Sequence, residues 1–283
     1  MLSYRHGFHA GNHADVLKHS ILCMILKYLH KKKKPMTYID THSGAGIYSL
    51  KSVWSQKTEE FTDGISKVIT SENLNKLIPE YFETIQNTND FQKEFETYPG
   101  SPYIAAKMCN EEDDIHLIEL HPTEYKNLKY NMHYFNNVHV HNRSAEEGLL
   151  ALLPPKIKRG LILIDPSYEM KTDYTGIVKL VKKAIEKFPQ GVYAIWYPVL
   201  GTSNNESYTF INSFKKLNIQ STLLAELNVS KQEEFGMNGS GMIILNSPYG
   251  LFEDLQNVME ELLNHLRKDN EASIRLEYLN QPV

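Results

Sequence analysis

The chain has 283 residues, of which 41% are hydrophobic and 23% are charged, so it can bury one large core, with or without a small appended lobe. Its net charge is −4, so any binding site for nucleic acid must depend on local clusters of basic residues. We expect a cytoplasmic protein, because no stretch resembles a membrane span or a signal peptide and the two cysteines lack the spacing of a disulfide pair.

The first notable segment is residues 4–19, YRHGFHAGNHADVLKH, which contains four histidines. His9 and His13 have the i,i+4 spacing of two ligands on one helical face. No cysteine cluster or H-E-x-x-H motif accompanies them, so we predict no metal site. We expect these two histidines to make local structural hydrogen bonds.

Basic residues are concentrated in three segments despite the negative net charge. Residues 1–34 contain seven lysines and arginines and one aspartate, and residues 156–160 and 179–187 form two further clusters. Solvated helix ends would explain any one of these clusters. Three clusters in one chain, taken with the motif at residues 161–170 that is described below, favour contact with a polyanion.

Seven apolar, β-rich runs alternate with helical patterns, which predicts a largely parallel sheet covered by helices on both faces. The runs are residues 37–40, 115–120, 138–142, 161–165, 192–197, 221–227 and 242–246. We therefore expect a doubly wound α/β fold with a seven-stranded, mostly parallel sheet.

An insertion separates the first two runs. About seventy residues lie between them, where a crossover connection requires only a dozen or so. Residues 53–96 are polar and have helix-compatible spacing, so we predict a small inserted helical subdomain there. The main domain would consist of residues 1–52 and 97–283, and it would resume at YPGSP, whose prolines and glycine cannot continue a helix.

The first predicted strand leads into a glycine-containing turn, DTHSGAG (residues 40–46). Gly44 and Gly46 would let the backbone approach a ligand closely and direct amide groups toward it. The second predicted strand ends near Glu119, at the sheet edge where open α/β folds bind ligands, and this acid could accept both hydroxyls of a ribose. The combination is typical of nucleoside cofactors in general, including S-adenosylmethionine.

The strongest motif is LILIDPSYEM (residues 161–170). In it, a predicted buried strand is followed directly by Asp165, Pro166, Ser167 and Tyr168. It is similar to the [DNS]-P-P-[YFW] signature of methyltransferases that modify exocyclic amines of nucleic-acid bases, except at Ser167. Hydrogen bonds from the amine to the Asp165 carboxylate and the Pro166 carbonyl would orient this weak nucleophile. Tyr168 would stack on an unpaired base.

Motifs along nearly the whole chain resemble the RlmJ family. They are MLSYRHGFHAGNHADVLKH, DTHSGAG, YPGSP, ELHP, RGLILIDPSYEMKTDY, YAIWYP and GSGMIILNSP. The resemblance implies a Rossmann-like class I methyltransferase fold, S-adenosylmethionine as methyl donor, and one adenine N6 of bacterial 23S ribosomal RNA as acceptor. The expected partner is naked or early-assembly RNA, and we expect a monomer with no membrane partner.

The resemblance also implies roles for single residues. Residues 1–19 would form a lid in which Tyr4 faces the RNA, while His6 and Lys18 support the reaction. The expected catalytic set is Asp165, Pro166, Tyr168, Tyr4, His6 and Lys18. The expected cofactor contacts are Lys18, His19, His42, Gly44, Gly46, Ser101, Glu119, Ser144, Ala145 and Asp165.

One position departs from the family pattern. An acid followed by glycine tends to lie against the adenine of the cofactor, and here the corresponding residues are Ser144 and Ala145. A serine hydroxyl bonds an exocyclic amine less strongly than a carboxylate does, so we expect weaker donor affinity unless Glu146 compensates.

Two alternatives remain open at the level of the sequence. A DNA adenine methyltransferase would share the Asp-Pro-x-Tyr motif, but it would need a larger element than residues 53–96 to recognise the base sequence in the groove of a duplex. A noncatalytic RNA-binding assembly factor would retain the fold without turnover. Asp165 and Tyr168 argue against that alternative, and Ser167 and Ser144 leave it open.

Overall fold

A computed structural model describes residues 5–89 and 95–282 of the chain. The helices are α1 (His13–His30), α2 (Val53–Thr58), α3 (Ile65–Val68), α4 (Glu72–Leu77), α5 (Pro79–Thr88), α6 (Ser101–Met108), α7 (Pro122–Asn131), α8 (Ala145–Leu152), α9 (Lys171–Lys187), α10 (Ser207–Lys215) and α11 (Leu251–Leu266), with 3-10 helices at His6–Phe8 and Glu60–Asp63. The strands are β1 (Thr37–Asp40), β2 (Ile47–Ser49), β3 (Thr97–Pro99), β4 (Asp114–Ile118), β5 (Val138–His141), β6 (Gly160–Ile164), β7 (Val192–Leu200), β8 (Thr222–Asn228), β9 (Met237–Leu245) and β10 (Ser273–Asn280).

The main sheet contains eight strands in the order β10-β8-β9-β7-β6-β1-β4-β5. Neighbouring strands from β7 to β5 are parallel, whereas β9 is antiparallel to both β7 and β8, and β10 is antiparallel to β8. This mixed, mostly parallel arrangement confirms the Rossmann-like α/β fold predicted from the sequence.

The predicted number of strands was wrong, because the sheet has an eighth strand, β10. Its residues alternate between apolar Ile274 and Leu276 and charged Arg275 and Glu277, and among the described strands it pairs with β8 alone, at the edge of the sheet. A short alternating run of this kind is half solvated, so it lacks the continuous apolar character by which the seven inner runs were recognised.

Helices cover both faces of the sheet and bury two apolar clusters. On one face, side chains of α1, α6 and α11 pack against alternate residues of the central strands, such as Tyr38 and Leu163. On the other face, residues of α8, α9 and α10 pack against the intervening positions, such as Ile39 and Ile164. Because successive residues of a strand point to opposite faces, strands buried on both sides are apolar throughout.

The described part of residues 53–96 is mainly helical. Its buried residues, among them Ile65, Leu74 and Phe82, belong to the same apolar cluster as α1 and α11. The short strands β2 and β3 pair with each other just before and just after this segment, which closes its two ends together. Its separation from the main domain as a subdomain stays a prediction.

Helix α1 directs several polar side chains toward the centre of the molecule. The Asn12 side chain caps it by accepting hydrogen bonds from the amides of Ala14 and Asp15, both at 3.0 Å. Most of its residues are buried, including Lys18 and His19. Among the described residues, no helix is long and apolar enough to cross a membrane.

Candidate active site

A cavity of about 540 Å³ opens at the carboxyl edge of the sheet, where the loops after β1, β4 and β6 meet. Nine of the residues predicted for the site line it. They are His6, His42, Gly44, Glu119, Ser144, Ala145, Asp165, Pro166 and Tyr168. The structure therefore brings together residues from distant parts of the chain at the edge that the strand order predicts.

Four other predicted residues do not line the cavity. Lys18 is buried behind Asp165, and His19, Gly46 and Ser101 lie farther back among other side chains. Tyr4 lies outside the described residues. The roles of these five residues, like those of the nine that line the cavity, stay predictions.

A second and larger cavity, of about 830 Å³, lies near the other end of α1. Its lining includes Lys27, His30, Glu80 and Asp113, and none of the predicted site residues. Size alone does not identify a reaction centre, so we assign the candidate site to the carboxyl-edge cavity because it contains Asp165 and Glu119.

The glycine turn after β1 contacts the acid after β4. Gly44 has a positive φ of 58°, and its amide donates a hydrogen bond of 2.8 Å to Glu119 Oε2. Glu119 Oε1 accepts a 2.6 Å bond from the His121 amide. Burial raises the pKa of Glu119, and the two amide bonds oppose that rise. The carboxylate is thereby fixed at the wall of the cavity with lone pairs still able to accept hydroxyl groups.

Asp165 forms an ion pair with Lys18 directly beneath the cavity. The Lys18 ammonium contacts Asp165 Oδ2, and it also lies 2.8 Å from Asp15 Oδ1 on its own helix. Burial acts to lower the pKa of Lys18, but the charges of Asp15 and Asp165 outweigh it and raise that pKa. Lys18 is therefore a buried cation at neutral pH.

Sequence reasoning overlooked Asp15, although the structure places it at the centre of this network. Its Oδ2 atom is 2.9 Å from His6 Nε2 and accepts a 2.9 Å bond from the Gly11 amide. Burial would raise the pKa of Asp15, but His6 and Lys18 hold it well below the usual range. The i,i+3 spacing of Asp15 and Lys18 on a helix was the available signal.

His42 and Asp40 sit at the end of β1. Burial lowers the pKa of His42 to about 4, so its ring is neutral at pH 7, and Nδ1 lies 2.8 Å from Thr41 Oγ1. Asp40 accepts bonds from the hydroxyls of Tyr38 and Ser101 at 3.0 Å and 2.7 Å. Burial raises the pKa of Asp40 to about 6. Ser101 thus supports this carboxyl group rather than facing the cavity.

Tyr168 lines the cavity, but its ring is largely buried. Its hydroxyl donates a 2.7 Å bond to the Trp196 carbonyl, and its ring centroid lies 4.3 Å from that of Tyr174 and 5.8 Å from that of Phe210. Its φ is +47°, a left-handed backbone conformation that is uncommon for a residue other than glycine. The motif turn is therefore held in a specific conformation by an aromatic cluster.

The remaining histidines of the N-terminal segment have structural surroundings. His19 Nδ1 is 2.7 Å from the Tyr98 hydroxyl, and burial lowers the pKa of His19 to about 3. His9 Nδ1 is 2.9 Å from Glu60, which agrees with the structural role expected for His9. The buried Nε2 atom of His13 has no hydrogen-bond partner among the described residues, so the structural hydrogen bond expected for His13 stays a prediction.

Ser144 and Ala145 line the cavity at the start of α8. The Ser144 hydroxyl caps this helix by accepting a 3.3 Å bond from the Glu147 amide. Glu146 also lines the cavity, and its carboxylate is 2.8 Å from the Lys183 ammonium. Compensation by Glu146 would therefore have to compete with this exposed ion pair.

Comparison with known proteins identifies the relatives of this chain. Residues 33–279 match the family model described as "Ribosomal RNA large subunit methyltransferase D, RlmJ". Two proteins named Ribosomal RNA large subunit methyltransferase J are each 39% identical to the chain. The Escherichia coli protein is matched over 94% of both chains, and the Haemophilus influenzae protein over 99% of both.

A solved structure has the same fold over nearly its whole length. Protein LPL1258 from Legionella pneumophila is 40% identical, with a TM-score of 0.87, over 95% of this chain and 98% of that one. These matches confirm the resemblance inferred from the sequence motifs. The chain belongs to the RlmJ family of ribosomal RNA large subunit methyltransferases.

Proposed function

We propose that this protein transfers a methyl group from S-adenosylmethionine to the N6 amine of one adenine in 23S ribosomal RNA. The observation that carries the proposal is the position of Asp165 and Pro166 on the wall of the carboxyl-edge cavity, in a chain of the RlmJ family. Their carboxylate and carbonyl oxygens are acceptors suited to the two N–H groups of an exocyclic amine.

The cavity also suits the methyl donor. S-adenosylmethionine supplies a methyl group on a positively charged sulfur. The Glu119 carboxylate would accept its ribose hydroxyls, and Ser144 would lie at its adenine. Apolar Ile177 and Leu180 on the same wall would contact the adenine ring. Neutral His42 would add a polar contact without repelling the sulfonium.

The Lys18 contact leaves part of Asp165 available to the target. Because the ammonium contacts Oδ2, the other carboxylate oxygen, Oδ1, can accept an N–H group of the adenine amine. Pro166 would accept the second N–H, and Tyr168 would border the base. Fixing the amine in this way directs its lone pair toward the methyl group and lowers the entropic cost of reaction.

The N-terminal segment would complete the site. His6 lines the cavity and contacts Asp15, and we propose that residues 1–19 cover the bound substrate, with Tyr4 toward the RNA. Residues 53–96 form the inserted subdomain in this proposal. The acceptor would be naked or early-assembly RNA in the cytoplasm, and the protein would act as a monomer.

The test is incubation of the protein with S-adenosylmethionine and deproteinised 23S RNA from cells that lack this enzyme, followed by mass spectrometry of the nucleosides. We expect N6-methyladenosine in RNA and none in a DNA substrate. The matched control is Ser203→Ala, which alters a loop hydroxyl that does not line the cavity.

The outcomes separate this proposal from its alternatives. Methylation of DNA would identify a DNA methyltransferase. Tight binding of S-adenosylmethionine without methyl transfer to naked RNA or to early particles would support a noncatalytic assembly factor. Either result would overturn the proposed reaction.

A further inference from the structure

The Lys18 ammonium is shared between two carboxylates that come from different parts of the chain. Asp15 lies three residues before it on α1, and Asp165 lies after β6. The side chains of Lys18 and Asp15 are 4% and 1% exposed. A buried cation between two acids has a position fixed by both, because moving it from either leaves a charge without its partner.

The two oxygens of Asp15 have separate partners. Within the described part of the chain, Oδ1 lies 2.8 Å from the Lys18 ammonium and 3.9 Å from His19 Nε2, whereas Oδ2 contacts the Gly11 amide and His6. The backbone amide of Gly11 cannot rotate away, so it fixes the orientation of the carboxylate. Asp15 therefore presents Oδ1 to Lys18 in one direction.

We propose that Asp15 is a positioning residue that holds Lys18 against Oδ2 of Asp165 and thereby keeps Oδ1 free for the target amine. This inference rests on the proposed function. Without the pull of Asp15, the ammonium would move toward Asp165 and compete with the amine for its second oxygen. Asp15 does not line the cavity, so it would act through Lys18 rather than by touching substrate.

Asp15→Asn tests this role selectively. The amide oxygen would remain toward the Gly11 amide, which requires an acceptor, so the new NH2 group would face the Lys18 ammonium. Two hydrogen-bond donors, the new NH2 group and the Lys18 ammonium, would then face each other where Asp15 contacts Lys18 in the wild type. We expect kcat for RNA methylation to fall about tenfold or more, which is typical of the loss of a hydrogen bond to a charged group, while the Kd of S-adenosylmethionine changes less than about threefold.

A double-mutant cycle with Lys18→Met shows whether Asp15 acts through Lys18. We expect Asp15→Asn to have no further effect on kcat in the Lys18→Met background, within about threefold. If Asp15→Asn does not fold, Asp15→Glu replaces it in the same cycle, because its longer side chain also displaces the oxygen that contacts Lys18.

The matched control is Asp113→Asn. Asp113 is also buried, and it holds His30 and the Met36 amide at the other end of α1. We expect it to reduce thermal stability and leave kcat unchanged. An equal loss of kcat in this control, or independent effects of Asp15→Asn and Lys18→Met, would overturn the positioning role. An inactive wild-type protein in the same assay would instead reject the proposed function.

Discussion

At the scale of single residues, three acids at or near the cavity have pKa values that are shifted in opposite directions. The charge of Lys18 and the contact with His6 hold the pKa of Asp15 well below its usual range, whereas burial raises the pKa of Asp40 to about 6. Glu119 has a raised pKa that two amide hydrogen bonds limit. These differences follow from the neighbours of each acid, because the side chains themselves are chemically alike.

The raised pKa of Asp40 predicts a pH-dependent stability. The unfolded chain ionises Asp40 near its ordinary pKa of 3.8, whereas the folded chain keeps the proton until about pH 6. The folded state binds more protons between these values, so the contribution of Asp40 to stability falls by about 2 kcal/mol as the pH rises from 4 to 6, out of about 3 kcal/mol over the whole titration.

Urea unfolding of the wild type and Asp40→Asn at several pH values measures this contribution. We expect the wild type to lose about 2 kcal/mol of its free energy of unfolding relative to Asp40→Asn between pH 4 and 6, and the difference to be nearly constant above about pH 7. A difference that does not depend on pH in this window would show that Asp40 is ionised normally.

Replacement of Ser144 by aspartate should change the affinity for S-adenosylmethionine. Ser144→Asp would retain an oxygen at the cap of α8 and place a negative charge toward the adenine amine of the donor. We expect the Kd of S-adenosylmethionine to fall about three- to tenfold by calorimetry. Ser52→Asp, at the cap of α2 away from the cavity, is the control and should have no effect. An unchanged Kd for Ser144→Asp would contradict the expectation.

At the scale of elements, the N-terminal segment is anchored by the start of the inserted segment. The Arg5 guanidinium lies 4.7 Å from the ring centroid of Trp54, and the Thr58 hydroxyl donates to the carbonyl of Phe8. Glu60 is 2.9 Å from His9 Nδ1. The insertion therefore holds the segment that carries His6 beside the cavity.

Removal of the Glu60 anchor should loosen this segment. For Glu60→Ala we expect faster amide hydrogen exchange in residues 5–12 and at least about a threefold lower kcat, because the hydrogen bonds of Glu60 to His9 and to Asn12, which order the segment, are both lost. Glu59→Ala is the matched control, since Glu59 is exposed and adjacent. Unchanged exchange in Glu60→Ala would show that the other contacts hold the segment alone.

The elements that could be predicted from the sequence are those that depend on local patterns, together with the residues at their ends. Apolar runs located the inner strands, and strand ends located Glu119 and Asp165. The sequence could not predict that His19 is enclosed by Tyr98, or that Tyr168 packs on Tyr174, because such contacts form only after distant segments meet. The edge strand β10 was overlooked for a different reason, namely its half-polar pattern.

At the scale of the whole molecule, two of the basic clusters lie away from the cavity. Lys31 to Lys34 follow the end of α1, and Arg159, just before β6, donates a 2.9 Å bond to the Lys34 carbonyl. Both segments precede strands, so they lie at the amino edge of the sheet, whereas Asp165 lies at the carboxyl edge. We therefore expect the amino edge to contribute to RNA binding and the carboxyl edge to carry out methyl transfer.

Neutralising the exposed lysines tests that separation. We expect the triple variant Lys31→Gln, Lys32→Gln and Lys34→Gln to weaken RNA binding and reduce its salt dependence, because fewer counterions are released from the phosphates. The kcat at saturating RNA should be unchanged. Measurement of Kd at several salt concentrations, with kcat measured in parallel, decides the point. A lower kcat would place these lysines in the reaction itself.

Single-turnover methyl transfer from isotopically labelled S-adenosylmethionine to 23S RNA shows whether Asp165 holds the target amine. With the donor and RNA saturating, we expect Asp165→Ala to lower the rate about a hundredfold or more, as the loss of a preorganised acceptor at the reacting group does, and to leave RNA affinity nearly unchanged. A rate equal to that of the wild type would show that the amine is held elsewhere.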